Sequence, residues 1–256
     1  MSVIALASIL ATQGQLSLTL NPKVGSSYKY SNVTTSSNPM GGGSQTTSST
    51  STLKVASASG GYFKFDISTS DVKVTGGAGN SDQMKKMMEG QHQTMLIDKY
   101  GSVKADPKAG GNAGMQAIMK SLGNNAIGVA FPKKPVKIGE TWAQTIDLGA
   151  IMKTVMASRG GTAPATTGTI KIVYKLVKFD GKTATIGSTT SGTMNMDMGA
   201  GKASAKGQSM KMSMTISGTS TSVLERSTGL PLSTTMKMTM GFMGNNIPMS
   251  TTMKRI

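Results

Sequence analysis

The chain has no cysteine. That removes disulfides, thiolate metal sites, iron–sulfur clusters, cysteine nucleophiles and any lipid anchor attached through cysteine. It has one histidine, His92. Ser-His-Asp catalysis would have to be built on that residue, and no Gly-x-Ser-x-Gly elbow accompanies it. His92 follows a short helical pattern and opens a strand pattern, so it reads as a polar strand residue. Only 11 of the 256 residues are acidic, and no two stand at the spacing of an acid/base or metal motif, including the paired carboxylates of glycosidases. Aromatic residues make up 4%. That leaves few rings on which bases could stack, so nucleic acid is not expected as a partner despite the basic charge. No apolar run reaches the roughly 18 residues of a membrane-spanning helix. The expectation is a non-enzymatic protein without cofactor or resident metal.

What the sequence has instead is 32 glycines, 22 methionines, abundant Ser and Thr, and a net charge of +16. Such a composition favours extended strands and many turns over helices. The basic charge suits anionic partners, but the lysines are spread singly along strand patterns, as on a solvated face. Val3 to Ala11 is apolar with small residues, like the central region of a signal peptide, though no Lys or Arg precedes it. Residues 1–13 are therefore expected to direct export to the periplasm or cell surface, and residues 14–256 to form one β-rich domain.

The chain is written twice. Asn21-Pro22-Lys23-Val24-Gly25-Ser26-Ser27-Tyr28 lines up with Pro135-Val136-Lys137-Ile138-Gly139-Glu140-Thr141-Trp142. Further on, Met95 to Gly101 lines up with Val223 to Gly229. The pairs occur in the same order, which divides the chain into pseudo-repeats of about residues 16–130 and 131–256. Strand patterns run through Leu16–Leu20, from Tyr28, Thr47–Ala58, Tyr62–Val74 and His92–Ile97. The second half continues with Trp142–Leu148, Thr169–Phe179, Thr183–Met198, Gln208–Glu225 and Leu232–Phe242. Gly60-Gly61 and Asp180-Gly181 mark hairpins. Short helices are expected over 81–89, with Met84, Met87 and Met88 on one face, and over 112–122, ended by Gly123. Gly199-Ala200-Gly201-Lys202-Ala203-Ser204 lacks the spacing of a phosphate loop and reads as a hairpin loop. The fold expected is mainly β: a large curved antiparallel sheet, half-barrel-like, with two short helices packed on one face.

Three successive strand patterns carry methionine at period two: Met194, Met196 and Met198; Met210, Met212 and Met214; Met236, Met238 and Met240. Period two puts each triplet on one face of its strand. In a meander the triplets share a sheet face, with Thr193, Asn195, Lys211, Ser213, Lys237 and Thr239 on the opposite, wetted face. Three roles suit such a ladder. It can be packed core, since methionine fills irregular gaps, in which case the protein is a structural or protein-interaction surface component. It can be a deformable lining for a lipid or other hydrophobic ligand. It can also capture Cu(I) or Ag(I), because thioethers are soft ligands. The nine methionines are the candidate ligand-binding residues, and Tyr28 and Trp142 are expected to anchor the core.

Phe131-Pro132-Lys133-Lys134-Pro135-Val136-Lys137-Ile138-Gly139-Glu140-Thr141-Trp142 resembles the hallmark of an uncharacterised family of exported bacterial proteins. The same family shows a Gly-x-x-Tyr-x-Tyr strand, here Gly25, Tyr28 and Tyr30, and a turn like Asp98–Gly101 or Thr228-Gly229. The long strands with two short helices are also similar, at fold level, to periplasmic lipoprotein carriers of the LolA and LppX type, which hold acyl chains against a concave sheet. This resemblance implies an exported envelope protein with a hydrophobic ligand. The lysine-bearing face would then sit against an anionic envelope component.

Overall fold

The computed structural model describes residues 14–38, 43–76, 81–104, 129–150, 165–197, 211–242 and 244–256. The N-terminal run 1–13, the second expected helix at 112–122 and the 199–204 loop lie outside these residues. In chain order the strands are β1 (Ser27–Asn38), β2 (Gly43–Ser59), β3 (Tyr62–Gly76), β4 (His92–Asp98), β5 (Val103–Lys104) and β6 (Thr141–Asp147). They continue with β7 (Ala165–Phe179), β8 (Thr183–Asp197), β9 (Lys211–Glu225), β10 (Pro231–Phe242) and β11 (Asn245–Arg255). All eleven join one open antiparallel sheet in the order β5-β4-β3-β2-β1-β11-β10-β9-β8-β7-β6. The sheet is thus two five-strand meanders side by side, with β11 inserted between them.

The two motif pairs of the sequence adopt the same local geometry. Gly25 (φ 85°) and Gly139 (φ 89°) both take the left-handed backbone that glycine favours. Gly25 N–H donates to the Val55 carbonyl and Gly139 N–H to the Leu176 carbonyl, each at 2.8 Å. Each partner strand then carries an irregularity, between Val55 and Ser57 and between Leu176 and Lys178. Tyr100 and Thr228, which occupy matching positions, each offer a carbonyl to a connecting segment, to Phe131 N–H and Asn21 N–H respectively, each at 2.9 Å.

Those connecting segments make the sheet curl. Phe131 N–H bonds Tyr100, just past β4, while the neighbouring Ala130 carbonyl accepts from Trp142 Nε1 of β6 at 2.7 Å. In a flat sheet β4 and β6 would stand nine spacings apart, about 43 Å at about 4.8 Å each. Two residues and one indole bridge them, so the edges come round towards each other at this end. Inside the curl lies a single core cluster. It draws Phe65 from β3, Ile97 from β4, Tyr174 and Leu176 from β7, Ile186 from β8 and Leu224 from β9, all nearly inaccessible to solvent.

Leu16, Leu18 and Leu20 belong to this core. Their alternation predicts a strand, but the segment makes only one bridge, Leu16 to Val136. It crosses the curled sheet as a plug instead of joining it. Burial of alternate leucines, not ladder pairing, sets its register. Gly229 lets the plug approach, since a Cβ there would stand 2.3 Å from the Thr19 carbonyl oxygen.

Helix α1 (Ser81–Met88) forms as expected, with Asp82 in its first turn and Lys85 and Lys86 in its last, each sign favourable for the helix dipole. Just after it, the Glu89 carboxylate accepts from Asp71 N–H (3.1 Å) and Val72 N–H (2.9 Å). This holds Asp71 at its positive φ of 55° beside an irregularity in β3. A second short helical stretch is seen at residues 148–150. Strand β11 has no counterpart among the sequence-predicted strands, which end at Phe242.

Candidate functional site

Cross-strand register assigns every described strand residue to the inner face, which holds the core, or the outer face. Met194 lies opposite Met214, and Met196 opposite Met212. The next rows along the inner face are Ile216–Met240–Ile247 and Gly218–Met238–Met249. Met236 faces Ser220 on one side and Thr251 on the other. Met194 is buried, and Met196, Met212, Met214, Met236, Met238 and Met240 are half-buried. Seven of the nine candidate methionines therefore share one face; Met198 and Met210 lie outside the described residues.

Glycines shape this surface by size. A Cβ on Gly218 would come within 2.8 Å of Met238 Cγ, and one on Gly192 within 2.9 Å of Ile170 Cγ1. Each vacancy is occupied by the neighbouring strand's long side chain, the large-against-small interlock of a packed surface. Strand β11 adds Met249 and Met253 to the same face, both half-buried. Their period-two signal, Ile247-x-Met249 followed by Met253, is present in the sequence. Pro248 hides it, because proline argues against a central strand. The register explains the tolerance: β1 pairs with β11 only from Ser36–Met249 onward, so at Pro248 the strand has its ladder partner in β10.

A band of hydroxyls crosses the inner face beside the methionine rows. Ser188 and Ser220 share a hydrogen bond at 2.8 Å, Ser222 and Thr234 at 3.0 Å, and Thr34 and Thr251 at 3.1 Å. Asn32 Nδ2 donates to Ser51 Oγ at 2.9 Å. On β10 and β11 the inner face changes from core, through polar groups, to half-buried thioethers, while Met194 belongs to the core cluster and Met196, Met214 and Met253 pack against it.

The titratable groups serve the core end. The Tyr174 ring stacks on Trp142 at 5.6 Å between centroids, and burial pushes its hydroxyl pKa up to about 12. Tyr28 and Trp142 both pack against the core as expected. Arg255 lies over the Tyr28 ring at 4.9 Å and pairs with Glu225 at 3.1 Å. The Thr228 hydroxyl, with help from Arg255, holds the Glu225 carboxyl below its ordinary range. Among the described residues no group of three or more His, Cys, Asp or Glu is placed to hold a metal. His92 is exposed at the start of β4, and no helix among the described residues is long and apolar enough to cross a membrane.

The outer face is of different chemistry. It carries exposed Lys29, Lys171, Lys175, Lys237 and Lys254 among exposed Ser and Thr. A groove of about 710 Å³ spans β8 to β11 and β1 to β2; outer-face positions such as Thr35, Ser217, Lys237 and Ser250 line most of it, and the inner-face residues Met238 and Met249 line the rest with Thr190 and Gly218. No family model matches the chain, and no curated protein matches it.

Proposed function

We propose that this is a non-catalytic, exported envelope protein that holds a lipid or other hydrophobic ligand against the methionine-lined half of its inner sheet face. The observation that supports it most is the stacking of thioethers from four adjacent strands, β8 to β11, in cross-strand register, half-buried except for Met194, which joins the core. A surface needed only for packing would be expected to close over completely, as the leucine end does. Unbranched, polarizable side chains adapt to acyl chains of differing shape, and the curl of the sheet gives them a concave setting. The hydroxyl band beside them offers hydrogen bonds to a ligand's polar end. Uptake of an environment-sensitive fluorescent fatty acid tests the reading. The wild type should bind, and the double variant Met196→Lys/Met212→Lys should lose binding while keeping its strand circular dichroism. Absence of wild-type uptake, or uptake unchanged in the variant, rejects it and leaves a structural, packed-methionine role.

The register also favours a second reading, Cu(I) or Ag(I) capture. Met194, Met196, Met212 and Met214 form a two-by-two patch, with opposed Cβ atoms about 5 Å apart, within reach for thioethers to converge on one soft ion. Competition against a chromogenic Cu(I) chelator should then show binding tighter than about 1 μM. The binding should vanish when all four are changed to leucine, which preserves apolar bulk.

A further inference from the structure

We infer that the outer face carries a second binding site, centred on Lys237 and bordering the methionine face at Met238 and Met249, and that the groove there takes a chain of an acidic polysaccharide. The first observation is charge without compensation. Lys171 stands opposite Thr145 and Ser191, and Lys175 opposite Thr141 and Gly187. Lys237 stands opposite Thr219 and Ser250, Lys254 opposite Ser31 and Ser233, and Lys29 opposite Thr52. No acid on this face stands directly opposite these five: Asp66 faces Lys54, Asp197 faces Lys211, Asp98 faces Tyr62, and Asp147 faces Thr169, diagonal to Lys171. Five exposed ammonium groups are therefore set among hydroxyls, and successive cations along a strand, such as Lys171 and Lys175, lie about 13 Å apart.

The second observation is the groove itself. Its floor opens where β1 and β11 part: their pairing stops at Ser36–Met249, while β1 runs on to Asn38 against β2. Thr35 flanks the opening on the β1 side and Pro248 and Ser250 on the β11 side, with Lys237 in the wall. Among the described residues no β1–β11 pair follows Ser36–Met249, and Pro248 has no N–H to offer. A ligand fitting here needs negative charge for Lys237, many hydroxyl or carbonyl groups for the Ser, Thr and main-chain partners, and a width that enters a concave surface. An acidic sugar chain has all three. A planar anionic bilayer cannot enter the groove. Single-stranded nucleic acid would want stacking rings, and among the described residues no aromatic one lines it.

Binding of the purified full chain to polygalacturonate tests the assignment, with neutral dextran, phosphatidylglycerol vesicles and single-stranded DNA as competitors. Polygalacturonate should bind, and more weakly as salt is raised. Lys237→Gln should weaken it about fivefold, and Lys85→Gln, on exposed α1, should leave it unchanged. Fatty-acid uptake should not change in Lys237→Gln, which separates this site from the methionine face. The inference is overturned by no binding at low salt, by equal losses in the two variants, or by binding to vesicles or DNA that is as tight as to polygalacturonate.

Discussion

A single residue's role here depends on which side of the sheet it takes. Met212 and Lys211 are neighbours in the chain, yet one joins the thioether zone and the other meets water, because strand side chains alternate. That alternation is fully legible in the sequence, so seven of the proposed methionines were assignable without coordinates. Glu225 was not. Its partners, Thr228 and Arg255, come from a turn and from a strand that the pattern of the sequence conceals. Its folded pKa is lowered, chiefly by the Thr228 hydroxyl and then by Arg255. A lowered carboxyl contributes stability above its unfolded value, near 4.5, and loses that contribution as pH falls through the folded value. Thermal melts of wild type and Glu225→Gln should therefore differ at pH 7 and converge as pH falls from 4.5 through the lowered folded value. Because this carboxylate is partly exposed, the difference should be modest and should shrink in high salt. An equal gap at both pH values would mean that the pairing does not depend on its charge.

Among the elements, the connecting turns carry as much information as the strands. The aligned Gly25 and Gly139 motifs read as equivalent in sequence, and both turns donate the same bond to the paired strand. Replacing either glycine with alanine forces a Cβ into left-handed backbone without any steric neighbour, since nothing lies within 4 Å of either position. The cost should thus be conformational alone, about 1–2 kcal/mol, and similar for Gly25→Ala and Gly139→Ala in denaturant titrations. Unequal losses would show that the two turns are not energetic equivalents. The Leu16–Leu20 segment marks the opposite case. Its period-two pattern predicted a strand, but a buried alternation is satisfied as well by a plug with one leucine face as by a strand in a ladder. Periodicity alone cannot tell these apart.

At the scale of the molecule, β1 and β11 form the central seam, although they lie near opposite ends of the chain. Their pairing joins the two meanders into one sheet. Forming it requires closing a loop of most of the chain, which makes folding slow, in the millisecond-to-second range or longer. Removing residues 245–256 should split the sheet between β1 and β10 and expose both edges. We expect that truncation to abolish the single cooperative unfolding transition and to promote aggregation. Retention of one sharp transition would place the stability of the fold elsewhere, in the plug and its core.

The sequence by itself determined the β class, the paired turn motifs and the side of the strand on which the seven described candidate methionines stand. These follow from local rules: alternation and turn chemistry. Only the tertiary structure decided that β11 lies between the meanders and carries the methionine face on through Met249 and Met253. The same is true of the curl of the sheet around a leucine plug, and of Lys29, Lys171, Lys175, Lys237 and Lys254 having no acid directly across from them. Each of these depends on which strand is paired with which, a contact between residues far apart in the chain that no local pattern encodes.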